Sequence, residues 1–406
     1  MKKIIFVLTL ILASFTEGVT QCTCTNCGCT DSLELVKLYN STGGANWRNK
    51  WVLTQPVTTW FGVTLVSGRV TKVLLSNNLL SGSLPNINLP NLTTLYLQAN
   101  LLSGSIPQLN LPNLTILYLQ VNQLTGSIPQ FNLPNLERLW LHTNQLTDTV
   151  PNFKLPNLQE ILLYGNQLSG KIPNFNLPNL KRIWLFTNKL SGQVPNFNLP
   201  NLEDIFFAEN QLTDTIPNFK LPNLVNLSLN SNQISGNIPN FNFPKLEFID
   251  LSKNQLSGKI PNFNLPLLQS LRLQDNQLSG CIPKEIKTRC PLITETGGSL
   301  SNNANLTTQS WANYWNNGEG TCLPSAVQTV STTIDWRIYP NPAHDNLIVE
   351  GLPDQSKITI YNIVGSIVLT TQLKDSWLDI HSLNQGIYTM RIDTGSGAAT
   401  RLFVKE

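Results

Sequence analysis

A repeating pattern of apolar and polar positions fills residues 70–283 of the chain. Each unit has the form LxxLxLxxNxLxGxIPxFNLPN, as in residues 114–135. Its asparagine returns every 22 residues without a slip, at positions 78, 100, 122, 144, 166, 188, 210, 232, 254 and 276. The alternating LxL segment has the period of a β-strand, so every unit predicts one short strand before its asparagine. One unit cannot bury its own apolar face, and stacking ten of them predicts a parallel sheet over a continuous core.

The remainder of the unit predicts how the chain turns and returns. The asparagine side chain both donates and accepts hydrogen bonds, so we expect a ladder of asparagines that bind loop backbone. Gly126 predicts a turn with positive φ, Pro129 starts an extended segment, and Pro134 disfavours a helix on the return side. A phenylalanine also recurs once per unit, which predicts a column of buried rings at positions 131, 153, 175, 197, 219, 241 and 263.

This unit resembles the leucine-rich repeat family, and its LxGxIP ending is similar to the plant-type subclass, although the period here is shorter. The resemblance implies a β-rich solenoid: a right-handed leucine-rich-repeat superhelix with a parallel concave sheet, here with an extended convex side. Such a stack needs a cap at each end. We expect a Cys-rich segment and N-terminal cap in residues 22–69, with a helix over residues 31–39 and Asp31 as its N-cap. Residues 284–324 are the expected C-terminal cap.

The first 21 residues have the layout of a secretory signal peptide. Lys2 and Lys3 precede an apolar run over residues 4–13. That run is too short to span a bilayer, and no later stretch is apolar over the roughly 18 residues that a membrane helix needs. We therefore expect no membrane span once residues 1–21 are removed.

All seven cysteines follow this leader, and export permits disulfides. Four lie close together, where pairing with each other is favoured over a metal site, at positions 22, 24, 27 and 29. Cys281, Cys290 and Cys322 are candidates for a disulfide that pins the C-terminal cap, with Cys290–Cys322 slightly favoured. An odd total leaves at least one thiol free or paired with another chain. The sequence predicts no metal site and no cofactor.

The composition changes after a Ser/Thr/Val-rich linker at residues 325–334. Residues 335–406 contain no repeat and predict short strands over residues 347–350, 357–361, 367–371, 387–392 and 401–404. This segment resembles the C-terminal sorting domain of the type IX secretion system of Bacteroidota, on the motifs at residues 339–342 (YPNP), 383–388 (LNQGIY) and 401–406 (RLFVKE). The resemblance implies a small C-terminal β-sandwich that engages the secretion machinery, and a protein that is secreted or placed on the outer cell surface. The alternative is an ordinary small β-sandwich that binds a ligand itself.

The residues between the leucines of each strand must face outward on the concave sheet, because alternate side chains point to opposite faces. From the second repeat to the seventh, these positions are rich in rings that we expect to be about half exposed and to bind a ligand: Tyr96, Tyr118, Trp140, His142, Tyr164, Trp184, Phe186 and Phe206. The alternative explanation is the high β-propensity of aromatic residues, but that would spread rings over all ten repeats.

A charged column lies beside these rings and alternates in sign, through Arg138, Glu160, Arg182 and Asp204. Adjacent parallel strands would place these side chains next to each other. They form either a self-neutralising ladder that keeps the surface soluble or the polar rim of a ligand site.

Charge and motifs exclude several classes of function. The formal net charge is +3 and no run of Lys or Arg concentrates it, so nucleic acid is not an expected partner. His142 and Glu160 could in principle do acid–base chemistry, but they lie on an open sheet and no catalytic motif accompanies them, so we predict that the protein is not an enzyme. Residues 31–33, 148–150 and 214–216 resemble the Bacteroidota O-glycosylation motif, with simple loop substitution as an equal alternative.

The sequence therefore predicts a secreted or cell-surface binding and adhesion protein. The predicted ligand is a protein or peptide whose apolar hot spots dock on Trp140 and Trp184. One alternative is a polysaccharide that stacks successive sugar rings on the aromatic faces. Another is a structural surface spacer without a specific ligand.

Overall fold

The computed structural model describes residues 28–280, 283, 300–303, 305–306 and 336–406, the last range without 353–355, 364–365, 375 and 395–396. The chain divides into two compact units, Met1–Ser169 with Phe175–Leu180, and Gly170–Asn174 with Lys181–Glu406. Several predictions lie outside the described residues: the signal peptide, the linker, most of the C-terminal cap and the pairing of cysteines 22, 24, 27, 281, 290 and 322. Of Cys29 only the backbone is described.

An N-terminal cap closes the first unit. It consists of helix α1 (Gly28–Ser41), two short 3₁₀ turns (Gly44–Asn46 and Val57–Thr59), and strand β1 (Val63–Val66), which pairs antiparallel with β2 (Arg69–Leu74). Trp47, Trp51 and Trp60 are buried behind the helix, and the Trp51 and Trp60 rings stack with their centroids 4.8 Å apart. The predicted helix is thus confirmed and is longer than expected at both ends.

Asp31 is not the N-cap, so that prediction was wrong. The helix already begins at Gly28, which places Asp31 inside its first turn. Its buried carboxylate accepts hydrogen bonds from Arg69 Nη2 and Nε, at 2.8 and 2.9 Å, and from the Val70 backbone N–H at 2.9 Å. The Asp31 carboxylate therefore joins the cap helix to the first strand of the repeats and does not cap the N-terminus of the helix.

One short strand precedes each repeat asparagine, as predicted. In the first unit these strands follow β2 as β4 (Thr94–Tyr96), β6 (Ile116–Tyr118), β8 (Arg138–Trp140) and β10 (Glu160–Leu162). In the second unit they are β12 (Arg182–Trp184), β14 (Asp204–Phe206), β16 (Asn226–Ser228), β18 (Phe248–Asp250) and β20 (Ser270–Arg272). Within each unit neighbouring strands are parallel, and each residue lies opposite the residue 22 positions along. The β-solenoid predicted from the repeat is confirmed.

The asparagine ladder is also confirmed. Asn144 Nδ2 donates to the carbonyl oxygens of Leu119, Leu141 and His142 at 3.0 to 3.3 Å, and its Oδ1 accepts from the Leu124 N–H at 3.0 Å. The same contacts recur at other rungs, among them Asn100, Asn122, Asn210, Asn232 and Asn254. Each asparagine therefore satisfies loop backbone in its own repeat and in the repeat before it.

A second set of parallel strands, which the sequence pattern did not predict, follows the asparagines. Its three sheets run in the orders β3–β5–β7–β9, β11–β13–β15 and β17–β19–β21–β22. The strands are β3 (Ser81–Ser83), β5 (Leu101–Ser105), β7 (Gln123–Ser127), β9 (Gln145–Thr147), β11 (Ser169–Lys171), β13 (Lys189–Gln193), β15 (Gln211–Thr213), β17 (Ser235–Asn237), β19 (Gln255–Lys259), β21 (Gln277–Gly280) and β22 (Asn305–Leu306). Gly126 has a φ of 75°, as expected, and Asp148 takes the same left-handed step with a φ of 64°.

The return side is extended, and the described repeat residues contain no helix there. Its column of phenylalanines is buried, as predicted. Outside this column a second amide ladder appears, in which Asn113, Asn135 and Asn157 each donate from Nδ2 to a proline carbonyl in the preceding repeat, at 2.8 to 3.1 Å. Amides therefore join successive repeats on both sides of the apolar core.

Part of the predicted C-terminal cap continues the repeats. Strand β22 pairs in parallel with β21. Asn303 occupies the next rung of the ladder, since its Oδ1 accepts from the Leu278 N–H at 3.0 Å and its Nδ2 donates to Leu273 O at 2.9 Å. Asn303 follows Asn276 by 27 residues, so a search for a fixed period of 22 passes over it.

The tail of the second unit is the predicted small β-sandwich. One sheet has the order β23–β24–β27 and the other β26–β25–β28–β29. These strands are β23 (Arg337–Tyr339), β24 (Asn346–Glu350), β25 (Lys357–Asn362), β26 (Ile367–Gln372), β27 (Trp377–Asp379), β28 (Gly386–Thr394) and β29 (Gly397–Lys405). Both sheets contribute to one buried core, which includes Val349, Ile360, Met390 and Phe403. All five strands predicted for the tail are present, and β23 and β27 are additional.

The motif at residues 339–342 ties the end of the chain to the start of the tail. Asn341 Oδ1 accepts from the Val404 N–H at 2.9 Å, and its Nδ2 donates to Leu402 O at 3.2 Å. The Arg401 guanidinium lies over the Trp336 ring, with its Cζ 5.6 Å from the ring centroid, and donates to the Trp336 carbonyl. The motifs that suggested a sorting domain therefore contact each other across the sandwich.

Candidate functional site

The concave face of the first unit carries a stack of aromatic rings. Because the strands pair in register, Tyr96 lies opposite Tyr118, and Tyr118 opposite Trp140. Their ring centroids are 4.6 and 4.0 Å apart, with interplanar angles of 12° and 16°. His142 and Tyr164 stack in the next column, 4.1 Å apart. Each ring therefore stacks a face on a ring of an adjacent repeat, and Tyr118 has both of its faces covered in this way.

The expectation that these rings are about half exposed was largely wrong. Tyr96, Trp140 and Trp184 are half-buried, whereas the other members of the predicted stripe are buried: Tyr118, His142, Tyr164, Phe186 and Phe206. Stacking between repeats removes ring area from solvent, and a sequence pattern does not show that loss. In the predicted stripe, the rings that expose substantial area to solvent are therefore Tyr96 and the indoles of Trp140 and Trp184.

The predicted charged column makes the expected contacts within each unit. In the first unit Arg138 Nε lies 3.9 Å from Glu160 Oε2, which also accepts a hydrogen bond from Trp140 Nε1 at 3.0 Å. In the second unit Arg182 Nε lies 3.2 Å from Asp204 Oδ2. Both arginine side chains are 42% exposed, while both carboxylates are largely buried. The guanidinium groups are therefore the charged groups of this column that solvent or a ligand reaches.

The buried groups of this face have shifted pKa values. Burial, with Tyr96 as the next contribution, raises the pKa of Tyr118 to about 12, although a hydrogen bond with Arg138 acts against the shift. Burial also raises the pKa of Asp204, opposed by the Asn226 side chain, which donates to Asp204 Oδ1 at 2.7 Å, and by Arg182. Desolvation is the main cause of both pKa shifts, as expected for groups packed away from water.

A polar network on the second unit was not among the predicted site residues. Asp250 accepts hydrogen bonds from the Ser252 hydroxyl and backbone N–H, at 2.6 and 3.0 Å, and lies 3.6 Å from Arg272 Nη1. The Arg272 guanidinium also lies over the Phe248 ring, 5.4 Å from its centroid. Asp250 and Arg272 occupy equivalent positions in consecutive repeats, so the alternation rule that identified Arg138 and Glu160 would have found them as well.

The tail contacts the concave face within the second unit. Arg272 Nη1 lies 3.5 Å from Thr389 Oγ1 of the tail. A small cavity is enclosed between the two parts of this unit, lined by Phe186, Phe206, Ala208 and Ser228 of the repeats and by Ile387, Leu402, Phe403 and Val404 of the tail. The tail therefore covers part of the concave face of these repeats in the full chain, around Phe186 and Phe206.

Other chemistry has little support in the described parts of the chain. They contain no group of three or more His, Cys, Asp or Glu side chains arranged to hold a metal ion. No helix in them has the length and apolar character needed to cross a membrane. Thr149 and Thr215 of the suggested glycosylation motifs are exposed, whereas Ser32 is buried and so inaccessible to a glycosyltransferase in the folded chain.

Comparison with protein families identifies both parts of the chain. Residues 112–154 match the family described as Leucine Rich repeats (2 copies), and residues 245–264 and 267–288 match Leucine Rich Repeat. Residues 337–406 match the Secretion system C-terminal sorting domain. The chain thus carries leucine-rich repeats and a type IX sorting tail, which indicates secretion to the cell surface or the extracellular space. Among curated proteins, no match to the chain is found.

Three solved structures with similar folds are of plant proteins. The peptide hormone receptor RGFR1 in complex with RGF2 is 38% identical, with a TM-score of 0.52, over 54% of this chain and 38% of that one. The Arabidopsis receptor kinase HAESA ectodomain, in complex with an IDA peptide hormone, is 30% identical, with a TM-score of 0.50, over 68% of this chain and 53% of that one. A plant ice-binding protein is 26% identical, with a TM-score of 0.53, over 63% of this chain and 89% of that one. The chain thus spans about half or less of the matched receptor chains.

Proposed function

We propose that this is an exported binding protein of the cell surface whose concave face takes a protein or peptide ligand. In this proposal residues 1–21 act as the signal peptide, and the sorting tail directs the protein to the cell surface. Binding of the ligand there serves adhesion. Two of the similar structures support peptide binding: RGFR1 is named a peptide hormone receptor and is in complex with RGF2, and the HAESA ectodomain is in complex with an IDA peptide hormone. The plant-type LxGxIP ending of the repeats and the Bacteroidota source belong to the same proposal.

The observation that carries the proposal is the composition of the accessible concave surface. In the first unit the half-buried indole of Trp140 lies on the same strand face as the exposed guanidinium of Arg138, and in the second unit Trp184 and Arg182 repeat this arrangement. Trp and Arg are the residue types most enriched at the centres of protein interfaces. A peptide can fill the space beside an indole edge while its carboxylates pair with the arginines.

The ring geometry argues against the polysaccharide alternative. Sugars bind aromatic residues by lying flat on the ring face, but Tyr96, Tyr118 and Trp140 use their faces to stack on one another. A spacer without a ligand, the third alternative, would have no use for half-buried indoles beside exposed guanidinium groups.

Peptide binding is tested by screening the mature chain, with and without its tail, against a random peptide library and a glycan array. We expect peptide hits, and replacing both Trp140 and Trp184 by alanine should weaken them tenfold or more, since each lost hot spot costs more than about 1 kcal/mol. The variant Asn132→Ala, on the exposed convex side, serves as the control and should bind as wild type. Glycan hits alone, or hits unaffected by the double substitution, would reject the proposed site.

A second candidate function, ice binding, is favoured by the convex side. There, exposed amides alternate with buried apolar residues and repeat once per turn, as Asn218, Asn240 and Asn262 beside Asn242 and Asn264 in the second unit. Asn264 Nδ2 donates to Asn242 Oδ1 at 3.1 Å, which fixes these two amides relative to each other. With turns about 4.8 Å apart, they form a periodic array of hydrogen-bonding groups. The ice-binding relative matches over 89% of its length.

Inhibition of ice recrystallisation by the purified chain tests this second candidate. We expect activity in the wild type and its loss in the double variant Asn218→Lys/Asn240→Lys, because two bulky charges interrupt the array. The concave variant Ala208→Lys carries one such charge elsewhere and should stay active. A wild type that leaves ice growth unchanged removes the candidate.

A further inference from the structure

One face of the sorting tail is buried without belonging to the core of the tail. In β28 and β29, alternate residues such as Met390 and Phe403 point into the sandwich core. The residues between them must point to the opposite face of the sheet. Ile387, Thr389 and Val404 lie there, and they are nevertheless buried. Something outside the sandwich therefore covers this outer face.

The cover is the concave face of the repeats in the same unit. Ile387 pairs with Val404, and Thr389 with Leu402, so these four side chains form one patch on the outer face. The cavity described above brings this patch against Phe206 and Ala208. The outer face of the tail and this part of the concave face would each be exposed to water if the two were separated, and their contact buries both.

The polar edge of the contact is less well matched. Arg272 Nη1 lies 3.5 Å from Thr389 Oγ1, which is the outer limit of a hydrogen bond. An interface of small apolar patches with a long polar contact is of the kind that a covalent tether maintains by raising the effective concentration, and that dilution releases once the tether is cut.

We propose that the sorting domain is a built-in occupant of the concave face, which covers the surface around Phe186 and Phe206 in the full chain and uncovers it when the tail is removed. Export would then deliver the protein with this part of its binding face closed. Proteolytic removal of the tail opens that face. That the uncovered face takes a ligand rests on the proposed function; the docking of the tail does not.

Hydroxyl-radical footprinting with mass spectrometry tests the docking in the full mature chain. The variant Ala208→Lys places a charge in the contact at a position where other repeats carry Gln98, His142 or Tyr164, so the repeat fold accommodates a long side chain there. We expect Phe186 and Phe206 to oxidise several-fold faster in this variant than in wild type. We expect the same increase in a tail-free chain, which is made by cleaving a protease site placed in residues 325–334 and removing the tail by dilution and chromatography. The matched variant Asn198→Lys, on the exposed convex side of the preceding strand connection, should oxidise as wild type.

Phe207 is the internal reference, because it is fully buried inside the repeats and should stay protected in every sample. If Ala208→Lys also exposes Phe207, the variant has disturbed the repeats, and Ile387→Lys on the tail side then decides by the same comparison. Equal oxidation of Phe186 and Phe206 in wild type, variant and tail-free chain would overturn the proposal. Because no ligand enters this experiment, its failure is separate from failure of the peptide screen.

Discussion

Replacing Asn144 by alanine is expected to lower the free energy of unfolding by about 3 kcal/mol or more. The substitution removes one side chain that satisfies the carbonyls of Leu119, Leu141 and His142 and the N–H of Leu124. Each buried backbone group left without a partner costs about 1–3 kcal/mol. In a solenoid the loss also weakens the interface with the preceding repeat, on which neighbouring repeats depend.

Chemical denaturation followed by tryptophan fluorescence measures this effect. Asn132→Ala is the matched control, because Asn132 is an exposed convex amide and its loss should change stability by no more than about 0.5 kcal/mol. Equal stability of the two variants would contradict the structural role assigned to the ladder.

Replacing Arg69 by alanine is expected to cost about 3–5 kcal/mol, because it leaves the carboxylate of Asp31 buried without its charged partner. Asp31 is 1% exposed, and Arg69 binds it through two nitrogens. Arg69→Lys should recover only part of the loss, since a single ammonium does not reproduce the paired geometry of a guanidinium.

The double variant Asp31→Leu/Arg69→Met separates charge from packing. It removes both charges together and should be far more stable than Arg69→Ala, since no unpaired buried charge remains. Thermal unfolding of the three variants and wild type gives the comparison. An Arg69→Ala chain as stable as wild type would show that the cap does not depend on this ion pair.

Features that repeat at a fixed spacing could be predicted from the sequence. The strand before each asparagine, the buried phenylalanine column and the ladder itself follow from the chemistry of single positions repeated every 22 residues. The charge contacts of Arg138 and Arg182 followed as well, because in-register parallel strands place equivalent residues side by side.

Features that depend on what covers a residue could not be predicted in this way. Tyr118 looked exposed because alternation turns it outward, but Tyr96 and Trp140 cover its two faces. Phe206 looked exposed for the same reason, and the tail lies against it. The sequence predicts Asp31 as an N-cap because it shows only the position of this residue near a helix start, whereas its partner Arg69 is 38 residues away. Asn303 was missed because it breaks the period.

The asparagine hydrogen bonds between repeats all point to the preceding repeat, so the solenoid has a preferred direction of folding, from its N-terminal to its C-terminal end. Each asparagine donates to a carbonyl 25 residues earlier and accepts from an N–H 20 residues earlier. The backbone hydrogen bonds of one repeat are therefore complete only when the next repeat has folded. A chain that folds as it leaves the ribosome or a translocation pore thus always presents an unfinished edge at its C-terminal side. Duplicating one 22-residue unit reproduces every such bond, so array length can change during evolution without new contacts having to arise. The irregular spacing of Asn303 is tolerated because it lies at the finishing edge, where no further 22-residue unit follows in the sequence.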